Sequence, residues 1–186
     1  MRRLALICHA ATAATRSAAF PHDEPVDDKA LQSGLTIPAG LQSATQCWTS
    51  PALRALQTIE ALALRAAVEP MLRDCDFGRW AGRALGDVKQ SEPDAMAQWL
   101  SDPAAAPHGG ESIVDLMARA AAWLASLTAR SGQIVAVTHP SVIRAAVVNA
   151  LGAPATAFWR IDVPPLAIVE LKGQGSRWTL ALRSTQ

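Results

Sequence analysis

Two histidines stand where a strand would release them. His9 directly follows the apolar run Leu4-Ala5-Leu6-Ile7-Cys8, and His139 follows Ile134-Val135-Ala136-Val137-Thr138. Imidazole is the side chain best suited to move a proton or attack near neutral pH. If both runs are strands of one parallel sheet, their carboxyl ends open onto the same ligand crevice. The two imidazoles then meet in one pocket across 130 positions of sequence. The competing reading is a pair of structural histidines at strand ends. A third strand end leads into Ser50-Pro51-Ala52-Leu53-Arg54. Arg54 falls in the first turn of its helix, where the macrodipole disfavours a cation unless an anion sits beside it. Alone, Arg54 reads better as a solvated surface arginine.

These residues need elements to position them. The runs ending at His9 and His139 suit buried strands, and Ala44 to Ser50 reads as another. Residues 10–27, with Pro21, Pro25 and the acidic pair Asp23-Glu24, form a long loop of the kind that usually serves function. With Ser50 as N-cap and Pro51 at its first position, a helix is predicted to about Val68. Met71 to Gly86 is turn-rich, and residues 93–101 form a short helix. Glu111-Ser112 open a long amphipathic helix to about Ser131, with Gly132 as its C-cap. A helix over Ser141 to Leu151 follows the second histidine. Phe158 to Val163, Ala167 to Lys172 and Arg177 to Arg183 read as a three-stranded meander. The alternation predicts a three-layer α/β/α sandwich: a doubly wound, mostly parallel sheet with a C-terminal β-meander, in one domain over residues 1–186.

Composition narrows the function classes. Seventeen Lys and Arg against sixteen Asp and Glu leave a formal charge of +1, no electrostatic case for nucleic acid or a membrane surface. Cys8, Cys47 and Cys75 are too few and too widely spaced for a disulfide framework or a zinc site, which fits a reducing compartment. Arg2-Arg3 before an apolar run imitates a secretory signal, but His9 ends that run too soon. No stretch nears the roughly 20 apolar residues of a membrane helix. A cytoplasmic protein is expected, and nothing in the sequence sets its oligomeric state.

Five blocks in order resemble the histidine phosphatase (phosphoglycerate mutase-like) superfamily. Leu6-Ile7-Cys8-His9-Ala10-Ala11-Thr12 resembles its strand-end Arg-His-Gly signature, with Cys-His-Ala here. Ser50-Pro51-Ala52-Leu53-Arg54-Ala55-Leu56-Gln57-Thr58 resembles its S-x-L-x-R-A-x-Q-T helix start. Asp74 to Gly82, His108 to Ser112 and Val137 to Arg144 resemble E-x-D-F-G-x-W-E-G, P-G-G-E-S and V-[ST]-H-G-x-V-I-R. The resemblance implies a phosphomonoesterase acting on a small phosphorylated metabolite, with no cofactor and no metal. His9 would carry a phosphohistidine, Arg54 would clamp the phosphoryl oxygens, and His139 would hydrogen-bond them. Asp74 occupies the acid's position as proton donor and later base, with Glu111 the alternative; at a helix start, Glu111 otherwise orients backbone. Thr15, Arg16 and Glu111 are the candidate substrate contacts.

The departures bear on activity. Cys8 stands where the family has an arginine, a loss worth about 3 to 4 kcal/mol of transition-state stabilisation. Arg16, in the loop after His9, is a candidate replacement or a solvent-facing residue. Asp74 is one methylene shorter than glutamate, Ala81 removes a second acid, and Pro140 deletes a backbone donor. Two functions remain open: an active phosphatase, or a protein that binds phosphate or a phosphorylated metabolite with little turnover. No residue selects a substrate among the cobalamin-pathway and sugar phosphatases of this size. The helical region 93–131 is expected to lid the pocket, with Trp80 and Trp99 as lining or core.

Overall fold

Along the first strand, Leu4, Leu6 and Cys8 alternate with Ala5 and Ile7, and both sets are buried in different clusters on opposite faces. Burial on both faces is what a central parallel strand requires. The computed structural model describes residues 2–32, 34–44 and 46–182. In chain order its elements are β1 (Arg2–Cys8), α1 (Ala13–Ser17), α2 (Asp28–Gln32), α3 (Ala39–Gln42), β2 (Gln46–Thr49), α4 (Leu53–Ala61) and β3 (Ala67–Val68). They continue with α5 (Leu85–Ser91), α6 (Pro93–Ser101), α7 (Ile113–Ser126), β4 (Gly132–Thr138), α8 (Pro140–Leu151), β5 (Ile168–Gln174) and β6 (Arg177–Ala181). The strand order is β3-β2-β4-β1-β5-β6, with β1 to β4 mutually parallel and β5 and β6 antiparallel.

β4 repeats the alternation of β1. Ile134 and Ala136 join Leu4, Leu6 and Cys8 on the face covered by α7 and α8, whereas Val135 and Val137 join Ala5 and Ile7 under α3 and α4. Helices therefore cover both faces, as the three-layer reading expects. α7 starts where the Ser112 hydroxyl accepts from Asp115 N at 3.1 Å, and α8 ends at Gly152 in the left-handed region (φ 60°).

Several boundaries differ from the sequence reading, each for a local reason. Ser50 is not a helix cap: α4 begins at Leu53 with Ala52 in the cap position. α4 ends at Ala61 instead of near Val68, because Ala63 turns left-handed (φ 54°) and Ala67-Val68 pair with β2. α7 stops at Ser126, and Gly132 (φ 84°) opens β4 rather than capping a helix. The loop after His9 contains the five-residue α1, held by a capping box between Thr12 and Thr15. Phe158 to Val163 is not a strand. Residues Ala155–Arg160 form a 3-10 helix that buries Phe158 and sets Trp159 against Trp99, with ring centroids 4.4 Å apart. The antiparallel tail is thus the β5–β6 hairpin, and the expected extension to Arg183 lies outside the described residues. No helix among the described residues is long and apolar enough to cross a membrane.

One crossing fixes the segment after Asp74. Glu111 N donates to the Asp76 carbonyl at 2.8 Å, and Arg79 N to the His108 carbonyl at 3.0 Å. A Cβ on Gly110 would collide with the Asp76 carbonyl. Gly110→Ala is expected to cost about 1 to 3 kcal/mol, as overpacking does. Urea denaturation measures it, and an unchanged midpoint would mean the two loops part freely.

Candidate active site

Register brings the histidines together. Cys8 pairs with Thr138, and His9 N donates to the Thr138 carbonyl at 2.9 Å, so both chains leave adjacent strands at one level. The two imidazole centroids lie 5.2 Å apart. On the far side of β4, Ser50 N donates to the Val137 carbonyl at 2.9 Å, which places Ser50 at the same edge.

His9 is buried at the wall of a cavity of about 390 Å³, lined also by Thr12, Thr15, Phe20, Asp74, Trp99 and Arg144. Its Nδ1 lies 2.8 Å from the Ala10 carbonyl, which can only accept, so Nδ1 carries the proton and Nε2 keeps its lone pair. Burial lowers the pKa of His9, with the Ala10 bond opposing and Arg54 adding to the fall. The ring is therefore neutral at neutral pH. The turn that holds it is tied to α4, since Ala10 N donates to Thr58 Oγ1 at 2.9 Å and that hydroxyl donates to the Arg54 carbonyl at 2.6 Å.

Arg54 is buried, with both terminal nitrogens engaged and its Nε without a partner among the described residues. One terminal nitrogen donates to the His22 carbonyl at 2.6 Å and the other to Asp74 Oδ2 at 2.6 Å, with Glu24 at 3.9 Å. Asp74 also accepts from Ser141 Oγ and from Cys75 N, the latter at 2.8 Å. Burial works against the Asp74 carboxylate, but His139, Arg54 and the Ser141 hydroxyl outweigh it and hold its pKa at about 2. Burial pushes His139 down to about 3, with Asp74 opposing. At neutral pH His139 is therefore uncharged, and Arg54 is the standing counter-ion of Asp74. The Ser50 hydroxyl lies 2.7 Å from His139 Nε2, and His139 Nδ1 faces Asp74 Oδ2 at 3.4 Å. The Asp74 carboxylate thus stands between Arg54 and His139, where the oxygens of a bound anion would meet them.

The other sequence candidates divide. Thr15 lines the cavity. Arg16 does not: it is ion-paired to Asp27, and its side chain is 57% exposed. Glu111 is not on the wall either. It pairs with Arg119 at 2.6 Å, and Arg119 donates to the carbonyls of Met71, Arg73 and Asp74 at 2.6, 2.9 and 3.2 Å. Glu111 thereby holds the strand of backbone that carries Asp74. Trp99 lines the cavity and Trp80 is core. Of the region expected to form a lid, only Trp99 reaches the cavity, because α7 spends its apolar face on the sheet and α8. Among the described residues no three His, Cys, Asp or Glu side chains cluster to hold a metal ion.

Ser50, Ser141, Glu24 and Arg144 are site residues that sequence reasoning misses. Ser50 sits one residue and Ser141 three residues beyond a strand end, close to the signal that singles out the histidines. Glu24 is a buried acid, accepting from Thr12 Oγ1 at 3.0 Å and His22 N at 2.8 Å; no periodicity marks it within a loop.

The sequence profile of the histidine phosphatase superfamily (branch 1) matches residues 4–186. A bifunctional protein of Mycobacterium tuberculosis is 29% identical over 136 residues, which is 69% of this chain and 37% of that protein. A glucosyl-3-phosphoglycerate phosphatase of Mycolicibacterium vanbaalenii is 32% identical over 114 residues, 54% of this chain and 51% of that protein. The chain thus spans between about a third and a half of the length of these relatives. Among solved structures, a mycobacterial glucosyl-3-phosphoglycerate phosphatase in complex with VO3 is similar in fold, with a TM-score of 0.84 over 98% of both chains at 24% identity.

Proposed function

Because this chain belongs to the histidine phosphatase superfamily, we propose that it hydrolyses small phosphate monoesters through a phosphohistidine on His9. The observation that carries this reading is the tautomer of His9: a neutral ring with Nδ1–H held by the Ala10 carbonyl and Nε2 unprotonated at the cavity wall. Nε2 attacks phosphorus, the ester P–O bond breaks, and the leaving oxygen takes a proton. Water then attacks phosphorus and gives up a proton to a base; the new P–O bond forms as the P–N bond breaks, releasing inorganic phosphate and neutral His9. Arg54 and His139 stabilise the charge on the phosphoryl oxygens, which requires them to exchange part of their contact with Asp74 for the substrate.

Asp74 is the proton donor in this scheme. Ionised in the free protein, it is a poor acid, so the phosphoryl group must change its state. An incoming phosphate competes for Arg54 and adds negative charge nearby, and both effects raise the Asp74 pKa. A monoanionic ester brings the proton that Asp74 then passes to the leaving oxygen. Asp74→Asn is accordingly expected to slow alkyl phosphates by about 100-fold or more and p-nitrophenyl phosphate only several-fold. Steady-state kinetics on both substrates measure the ratio; equal losses would take the proton-donor role away from Asp74.

A second reading, binding of phosphate or a phosphorylated metabolite with little turnover, is favoured by one feature: Cys8 supplies no cation, and burial lifts its thiol to about 12, so it stays neutral. Hydrolysis of p-nitrophenyl phosphate by the natural chain decides for the first reading. Phosphate binding without hydrolysis decides for the second.

A further inference from the structure

We infer that Arg144, on α8, is a second phosphate-binding guanidinium of this chain beside Arg54, and carries the charge that Cys8 does not supply. The inference rests on the phosphate-site reading above. Even-numbered residues of β1 point to the face covered by α7 and α8, where Cys8 packs against the same cluster as Val142 and Ile143. A side chain at position 8 therefore reaches toward α8 at its amino-terminal end. Arg144 occupies that end, one turn after Ser141, and helical side chains lean back toward the helix amino terminus. It shares the cavity wall with His9, Asp74 and Ser141.

The guanidinium is aimed rather than loose. Its Nε donates to the Ile161 carbonyl at 2.7 Å, and its carbon lies 5.7 Å from the centroid of the Phe158 ring. The two terminal nitrogens make no hydrogen bond or ion pair to the described residues. They are a planar pair of donors suited to two phosphoryl oxygens. The other cations near the cavity are committed: Arg54 to His22 and Asp74, and Arg16 to Asp27. Cys8 is small and uncharged, so position 8 brings no cation to this side of the cavity and Arg144 is the guanidinium that shares its wall with His9.

Inorganic phosphate, titrated calorimetrically into the whole chain and its variants, tests this without any turnover. Arg144→Ala is expected to raise the phosphate Kd about ten-fold or more. Arg144→Gln, which keeps a donor for the Ile161 carbonyl, should show the same loss and guards against a folding defect of the first variant. Cys8→Arg in the Arg144→Ala background should recover most of the affinity, a rescue that a merely structural role for Arg144 does not predict. Phosphate affinity unchanged in both Arg144 variants overturns the inference, as does a loss produced by Arg16→Ala and not by Arg144→Ala. If Arg144 has no effect while p-nitrophenyl phosphate is still cleaved, only the inference falls. If the natural chain neither binds phosphate nor cleaves esters, the phosphatase reading falls with it.

Discussion

His9→Ala is expected to reduce hydrolysis of p-nitrophenyl phosphate by about ten-thousand-fold or more, to the level of solution background. The size follows from the kind of role. A positioning residue can be bypassed by water or a neighbour, but the proposed nucleophile has no substitute in this pocket. His139 stands 5.2 Å away, yet its ring nitrogens face Ser50 and Asp74, and its side chain is fully buried. Cys8 is a protonated thiol held within the core. Alanine at position 9 leaves Arg54, His139 and Arg144 in place, so phosphate binding should change far less than turnover. Two measurements check this together: the rate of p-nitrophenolate release and the calorimetric Kd for phosphate. A His9→Ala variant that keeps even a tenth of the activity would move the nucleophile elsewhere. Labelled phosphate trapped on the natural chain by alkaline quench should also disappear in the variant, since phosphohistidine would have no site to form.

The second large effect is a loss of stability in mild acid. His139, His9 and His108 all have pKa values lowered chiefly by burial, His139 to about 3. A histidine kept neutral by folding binds its proton first in the unfolded chain, so its contribution is full above about pH 6.5 and declines as pH falls toward the folded pKa. For His139 alone, the decline between pH 6.5 and 4.5 amounts to about 2 to 3 kcal/mol. His9 and His108 act in the same direction. The acids with depressed values, Asp74 and Glu92, both at about 2, behave differently. Their contribution is intact above the ordinary carboxylate range and is lost only as pH falls through it toward about 2. The histidine window is therefore open for separate measurement. Urea midpoints taken from pH 7 to 4.5 should fall steadily, and His139→Gln should flatten much of the slope. A flat profile in the natural chain would mean that His139 is an imidazolium paired with Asp74, and the neutral-ring account of the site would be wrong.

Both predictions draw on residues that are legible in the amino-acid sequence. The position of His9 after Leu4–Cys8 and of His139 after Ile134–Thr138 is a local pattern, because a strand buried on both faces must be a continuous apolar run. Parallel pairing then sends both histidines to one edge, so their meeting follows from pattern and topology. Arg54 stands out for a similar reason: a cation in the first turn of a helix asks for an anion. The three-layer architecture follows from the alternation of such runs with helical segments.

Period and order along the chain thus specify the fold class, the strand ends and the residues those ends release. Partner choice is a different quantity. Arg54 meets Asp74 across 20 positions, Ser141 reaches Asp74 across 67, and Arg119 braces the Asp74 backbone across 45. None of these pairs lies within one helical turn or one strand, so no local pattern encodes them. Arg16 follows the same rule in reverse. It is close to His9 in the chain, but the turn of α1 directs it to Asp27, while Arg144, far away in sequence, shares the cavity wall with His9. Phe158 to Val163 has the apolar content of a strand yet folds as a 3-10 segment, because burying Phe158 and packing Trp159 on Trp99 needs that geometry. Such contacts are selected in three dimensions, since the energy that favours them comes from side chains brought together after the sheet has closed.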